Sequence, residues 1–82
     1  MKGLEYMELP GNTVVEIVGD RRVLIENHRG VTRYSLDKIC VRVKYGSVLV
    51  CGSGMILAQM TCSNLVIHGC IDSITLLKGR TV

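Results

Sequence analysis

Residues 45–77 hold one charged side chain, Asp72, yet no more than four apolar residues ever stand in a row there. A membrane-crossing helix needs roughly 20 consecutive, mostly apolar residues. Here Gly46, Gly52, Gly54 and Gly69, together with Ser47, Ser53, Gln59, Thr61, Ser63, Asn64 and His68, break the stretch. Direct membrane insertion is therefore not expected. Short aliphatic runs bounded by turn residues read as strands. Strands that lack a polar side need cover on both faces, from the rest of the domain or from another copy.

The remainder of the chain supports the same class. Residues 39–44 alternate, with Ile39, Val41 and Val43 inward and Arg42 and Lys44 outward, which describes a strand with one wet face. Residues 13–18 form a β-prone run, and 47–51, 55–60, 65–68 and 70–77 follow as further strands. The last four are separated by Gly52-Ser53-Gly54, by Thr61-Cys62-Ser63-Asn64 and by Gly69. The Gly52-Ser53-Gly54 triplet lies between strands and reads as a turn or bulge, not as a phosphate loop. Val and Ile dominate, there is no Phe or Trp, and the only aromatics are Tyr6, Tyr34 and Tyr45; this composition favours strands. The expected fold is all-β, one domain of about eight short strands arranged as a sandwich or roll, with a β-solenoid as the alternative. The domain is placed at 13–78, after an N-terminal arm at 1–12 that ends on Pro10-Gly11-Asn12, and before a tail at 79–82. Ser35-Leu36-Asp37-Lys38 is a connector in which Ser35 would cap a single helical turn.

Residues 23–34 read as a hairpin: two β-prone runs flank Asn27-His28-Arg29-Gly30, with Asn opening a type I turn and Gly30 at the left-handed position. The hairpin places Glu26, His28 and Arg29 at an exposed tip, either solvated or in contact with a partner. Replacing His28 and Arg29 together by Ala is then expected to leave folding intact.

The chain has 82 residues and a net charge of +3, with basic and acidic residues interspersed. That charge is too mild to argue for nucleic acid. A nucleic-acid-binding β domain would have to bring Arg21, Arg22, Arg29, Arg33, Arg42 and Lys44 onto one face. No apolar run follows Lys2, so no signal peptide is expected. Cys40, Cys51, Cys62 and Cys70 form no C-x-x-C pair and are expected reduced and half-buried. His68-Gly69-Cys70 offers two ligands at most, so neither a metal nor a cofactor is expected. No nucleophile with an evident base, phosphate-binding glycine loop or pair of carboxylates occurs. An enzyme is not expected, and a small active site assembled from distant residues is the lesser alternative.

The segment Val23-Leu24-Ile25-Glu26-Asn27-His28-Arg29-Gly30 is preceded by Ile17-Val18-Gly19. Tyr34, Val41, Gly46, Gly52, Leu65-Val66-Ile67, Gly69 and Ile71 follow it. In this arrangement the chain resembles the YabP/YqfC family of sporulation proteins, on the side of the YqfC branch, over residues 14–77. The resemblance marks Ile25, Glu26, Asn27, His28, Arg29 and Gly30 as the family signature and a candidate contact loop. It implies a small protein of endospore formation, located in the mother-cell cytoplasm or peripheral to the forespore membrane. In many members the gene lies beside one for a membrane protein, which makes a membrane protein of the sporulation machinery a candidate partner. The resemblance supplies no catalytic or cofactor residues.

The leading functional expectation is a non-enzymatic structural or adaptor protein acting through protein–protein contacts in spore-envelope assembly. A chain of this size buries only about 60% of its unfolded surface, so the uncharged half should need additional cover. A homo-oligomer is the simplest source of it. Leu57 and Val66 are the candidate self-association surface.

Overall fold

A computed structural model describes residues 4–9 and 11–78; the expected tail at 79–82 lies outside them. The chain is all-β, in seven strands: β1 (Leu4–Leu9), β2 (Thr13–Val18), β3 (Arg22–Glu26), β4 (Gly30–Tyr34), β5 (Lys38–Val43), β6 (Gly46–Met60) and β7 (Asn64–Lys78). They form one open sheet in the order β1-β2-β3-β7-β6-β5-β4, with every pair antiparallel. A solenoid coil is thereby replaced by a sheet that doubles back on itself.

The doubling back is built into β6 and β7, each 15 residues long. Each was expected as two short strands, and each runs on through its glycines. The N-terminal half of β7 pairs with β3 (Leu24↔Val66, Ile25↔Leu65), while the N-terminal half of β6 pairs with β5 (Ile39↔Val50, Val41↔Val48). Between the halves the β6–β7 register shifts three times, at Cys51/Gly52, Ser53/Ile56 and Leu57/Gln59. Bulges add local twist and bend a strand pair. The expected bulge at Gly52-Ser53-Gly54 is thus the hinge of the fold. A Cβ on Gly52 would fall on the carbonyl oxygen of Cys70, and one on Gly69 would stand 2.7 Å from Met55 Cα. Glycine is required where the two backbones pass this closely.

The bend produces two leaves. The first contains β1, β2, β3, the start of β7 and the end of β6; the second contains the end of β7, the start of β6, β5 and β4. Alternation turns Val15, Val23, Ile25, Leu65 and Ile67 inward from the first leaf, and Ile39, Val41, Val43, Val48 and Val50 inward from the second. All belong to one core cluster with Met55, and all but Val43 are at most 1% exposed. One face of a single layer cannot be buried so completely, so the two inner faces cover each other, as in a sandwich.

Three expectations change at this level. The arm at 1–12 contributes β1, which pairs along β2 from Leu4↔Val18 to Leu9↔Thr13. The Ser35–Lys38 connector is a non-helical turn, in which the Lys38 N–H donates to Ser35 Oγ at 3.2 Å. Residues 23–34 are not a hairpin. β3 is already flanked by β2 and β7, so β4 crosses to the other leaf and pairs with β5. Residues 27–29 make that crossing, from Glu26 at the end of β3 to Gly30 at the start of β4.

Candidate contact surfaces and the clasp between the leaves

The signature segment is a clasp. Asn27, at φ 65°, turns the chain out of β3, and Gly30, at φ 125°, admits it to β4. The Asn27 and His28 amides both donate to Ser63 O, at 2.6 and 3.0 Å, in the β6–β7 turn. Asn27 Nδ2 donates to Asn12 O at 2.7 Å, and Thr13 Oγ1 donates to Asn27 O at 3.3 Å. The Arg29 amide donates to Arg42 O at 2.7 Å, in the second leaf. His28 is 5% exposed, not displayed at a tip. The Gly30 N–H donates to His28 Nδ1 at 2.9 Å. A nitrogen that accepts carries no proton, so the ring hydrogen sits on Nε2, which donates to Thr61 O at 3.0 Å. The expectation that His28→Ala with Arg29→Ala spares the fold is therefore corrected at His28. Ile25 is part of the core and Glu26 is half-buried; among the side chains of 25–30, those of Asn27 and Arg29 are the exposed ones.

Besides β1 and β4, which end the sheet, two edges lie in the uncharged half. Past the bend, among the described residues, the end of β6 has no strand beyond it in the first leaf, and the end of β7 has none in the second. The first is partly capped by the β4–β5 end, where the Leu57 N–H donates to Tyr34 Oη at 3.3 Å and the Met55 N–H to Leu36 O at 3.0 Å. On β7 the cap stops at Ile71, whose N–H donates to Asp20 O at 2.7 Å. Beyond it, Leu76 is 37% and Leu77 44% exposed.

Leu57 and Val66 face opposite ways. Leu57 pairs with the inward Ile67 and packs against the core, whereas Val66 pairs with Leu24 on the outer side of the first leaf. Val66 is half-buried there beside Val14 and Leu24, with Glu16 and Glu26 around them and Glu8 on the adjoining strand. The outer side of the second leaf centres on half-buried Cys40, Leu49 and Cys51, flanked by Arg33, Lys38 and Arg42. Sequence reading missed this separation of charge, because Glu16 and Glu26 lie on neighbouring strands only once the register is known. Nor do the cations expected for nucleic acid share a face: Arg22 points out from the first leaf, and Arg33 and Arg42 from the second.

A depression of about 360 Å³ is lined by Val18, Arg21, Arg22, His68 and Gly69. Arg21 Nη1 donates weakly to Cys70 Sγ beside it, at 3.9 Å. All four cysteines are free; Cys40 and Cys51 are half-buried as expected, while Cys62 and Cys70 are exposed. Among the described residues no three His, Cys, Asp or Glu side chains converge on a metal position, and no helix is long and apolar enough to cross a membrane.

A bent antiparallel sheet, its two leaves clasped at one end, defines a small all-β domain. The YabP family matches residues 10–82, and the chain belongs to that family. It is also similar to the protein named "Uncharacterized protein YqfC" of Bacillus subtilis (strain 168), with 28% identity over 73 residues, 89% of this chain and 75% of that protein. No solved structure matches it significantly.

Proposed function

We propose that the chain is a non-enzymatic structural or adaptor protein of endospore formation that works through protein–protein contacts in assembly of the spore envelope. On this reading it acts in the mother-cell cytoplasm or against the forespore membrane, where a membrane protein of the sporulation machinery is a candidate partner. The sporulation setting rests on family membership. The contact role rests on one observation: the end of β7 is an unpaired edge carrying exposed Leu76 and Leu77. Proteins usually blunt such edges with charge, proline or cover; between Asp72 and Lys78 this one carries neither charge nor proline.

The test is deletion of the gene in a sporulating bacterium, with scoring of the point at which spore development stops. Complementation should follow, with the wild-type chain and with Leu76→Lys, a charge placed on the edge strand to oppose strand addition. Arrest or a defective envelope, rescued by the wild type and not by a Leu76→Lys protein shown to be folded, is expected. Normal spores from the deletion strain would remove the sporulation role. Full rescue by the folded edge variant would remove the edge as the contact.

A further inference from the structure

We propose that copies of this chain stack head to tail, the acidic outer face of one leaf against the basic outer face of the next copy's opposite leaf. This goes beyond the edge contact proposed above: it uses the outer faces of the leaves instead of the β7 edge, with a second copy as the partner. The two faces are built alike and charged oppositely. On the first leaf, Val14, Leu24 and Val66 form a half-buried apolar centre with Glu16 and Glu26 beside it. On the second, Leu49, Cys40 and Cys51 form the centre, with Arg33, Lys38 and Arg42 beside it. An apolar centre with a charged rim is the common anatomy of a protein interface. Among the described outward strand positions of the acidic face, Arg22 is the one cation, at its end beside His68. Among the described outward strand positions of the basic face there is no carboxylate.

The arrangement also selects the symmetry. A two-fold dimer through either face would set like charges against each other, which opposes association. Pairing unlike faces satisfies both, and it leaves one acidic and one basic face exposed at the ends of every stack. Such a contact does not close, so assembly continues into a filament or layer. The contact is modest. The second leaf, four strands wide, limits it: at about 4.8 Å spacing and six residues at about 3.3 Å the face is roughly 400 Å², the size of a weak, transient contact. Stack length should therefore depend on protein concentration and on salt.

Two charge-reversed proteins test this: Glu16→Lys with Glu26→Lys, which makes both faces basic, and Lys38→Glu with Arg42→Glu, which makes both acidic. Light scattering at about 0.05 M salt should show the wild type growing with concentration. Each variant alone should associate at least about tenfold more weakly, because like charges now meet. An equimolar mixture of the two should assemble again, since alternating copies restore unlike pairs. If a reversed protein fails to fold, the wild type alone still decides, because its association must weaken strongly between about 0.05 and 0.5 M salt as charges are screened. A wild type that stays monomeric at low salt, association indifferent to salt, or reversed proteins that associate like the wild type would overturn the stacking. None of these results bears on the deletion phenotype, so the sporulation reading stands or falls separately.

Discussion

His28 Nε2 donates to the carbonyl oxygen of Thr61 at 3.0 Å, across 33 positions of the chain, while Nδ1 accepts the N–H of Gly30 two residues on. One buried ring thus ties the crossing between the leaves to the β6–β7 turn. His28→Ala removes both bonds and leaves a carbonyl and an amide without partners. The expected loss is about 2 to 4 kcal/mol, because unsatisfied buried groups retain their desolvation penalty. Arg29→Ala, at an exposed side chain, should change stability by no more than about 0.5 kcal/mol. Urea unfolding of the two single variants separates them; equal midpoints would mean that the clasp is not structural.

Gly30 enters β4 at φ 125°, a conformation that L side chains rarely adopt, with open space around the position a Cβ would take. Gly30→Val should therefore destabilise through backbone strain alone, by more than about 1 kcal/mol. An unchanged melting temperature would contradict the geometry of the crossing.

The bend makes a sharper demand. Gly52→Ala drives a methyl group into the Cys70 carbonyl, and relief requires the β6 and β7 backbones to separate. A loss of about 3 kcal/mol, the upper range for overpacking, is expected. Gly54→Ala meets no neighbouring atom and bears only the strain of φ 59°, about 1 kcal/mol. Thermal unfolding should rank them in that order, and the reverse ranking would place the hinge elsewhere.

Lysine scanning distinguishes the two leucine and valine positions in the uncharged half. Leu57→Lys puts a charge against the core and should lower stability by about 1 to 3 kcal/mol. Val66→Lys lies on the outer face and should unfold at nearly the wild-type midpoint, within about 0.5 kcal/mol, while weakening self-association. If Val66→Lys associates as the wild type does, the outer face of the first leaf is not the contact.

The strand content was legible because local pattern sets it: Ile39, Val41 and Val43 alternate with Cys40 and Arg42, and the structure keeps that alternation. The uncharged stretch also pointed correctly to strands, but the structure buries only their inner face and leaves the outer one half-buried to exposed. Partnering was not legible. Asn27 and Gly30 do adopt positive φ, as a hairpin reading requires, but the same local chemistry serves a crossing between leaves once β7 occupies the edge of β3. That competition is decided by Leu65 and Val66, some forty residues downstream in pairing with Leu24 and Ile25. For the same reason His28 read as a polar tip residue: its partner Thr61 is distant in sequence. The oppositely charged faces needed the register of six strand pairs before they existed as surfaces.

The contact account is tested most directly by light scattering after size exclusion on the wild-type chain, over a wide concentration range at low salt. Mass should rise from that of the 9.0 kDa chain into a ladder of higher species as concentration increases, and should fall back when salt is added. A 9.0 kDa monomer at every concentration would contradict self-association.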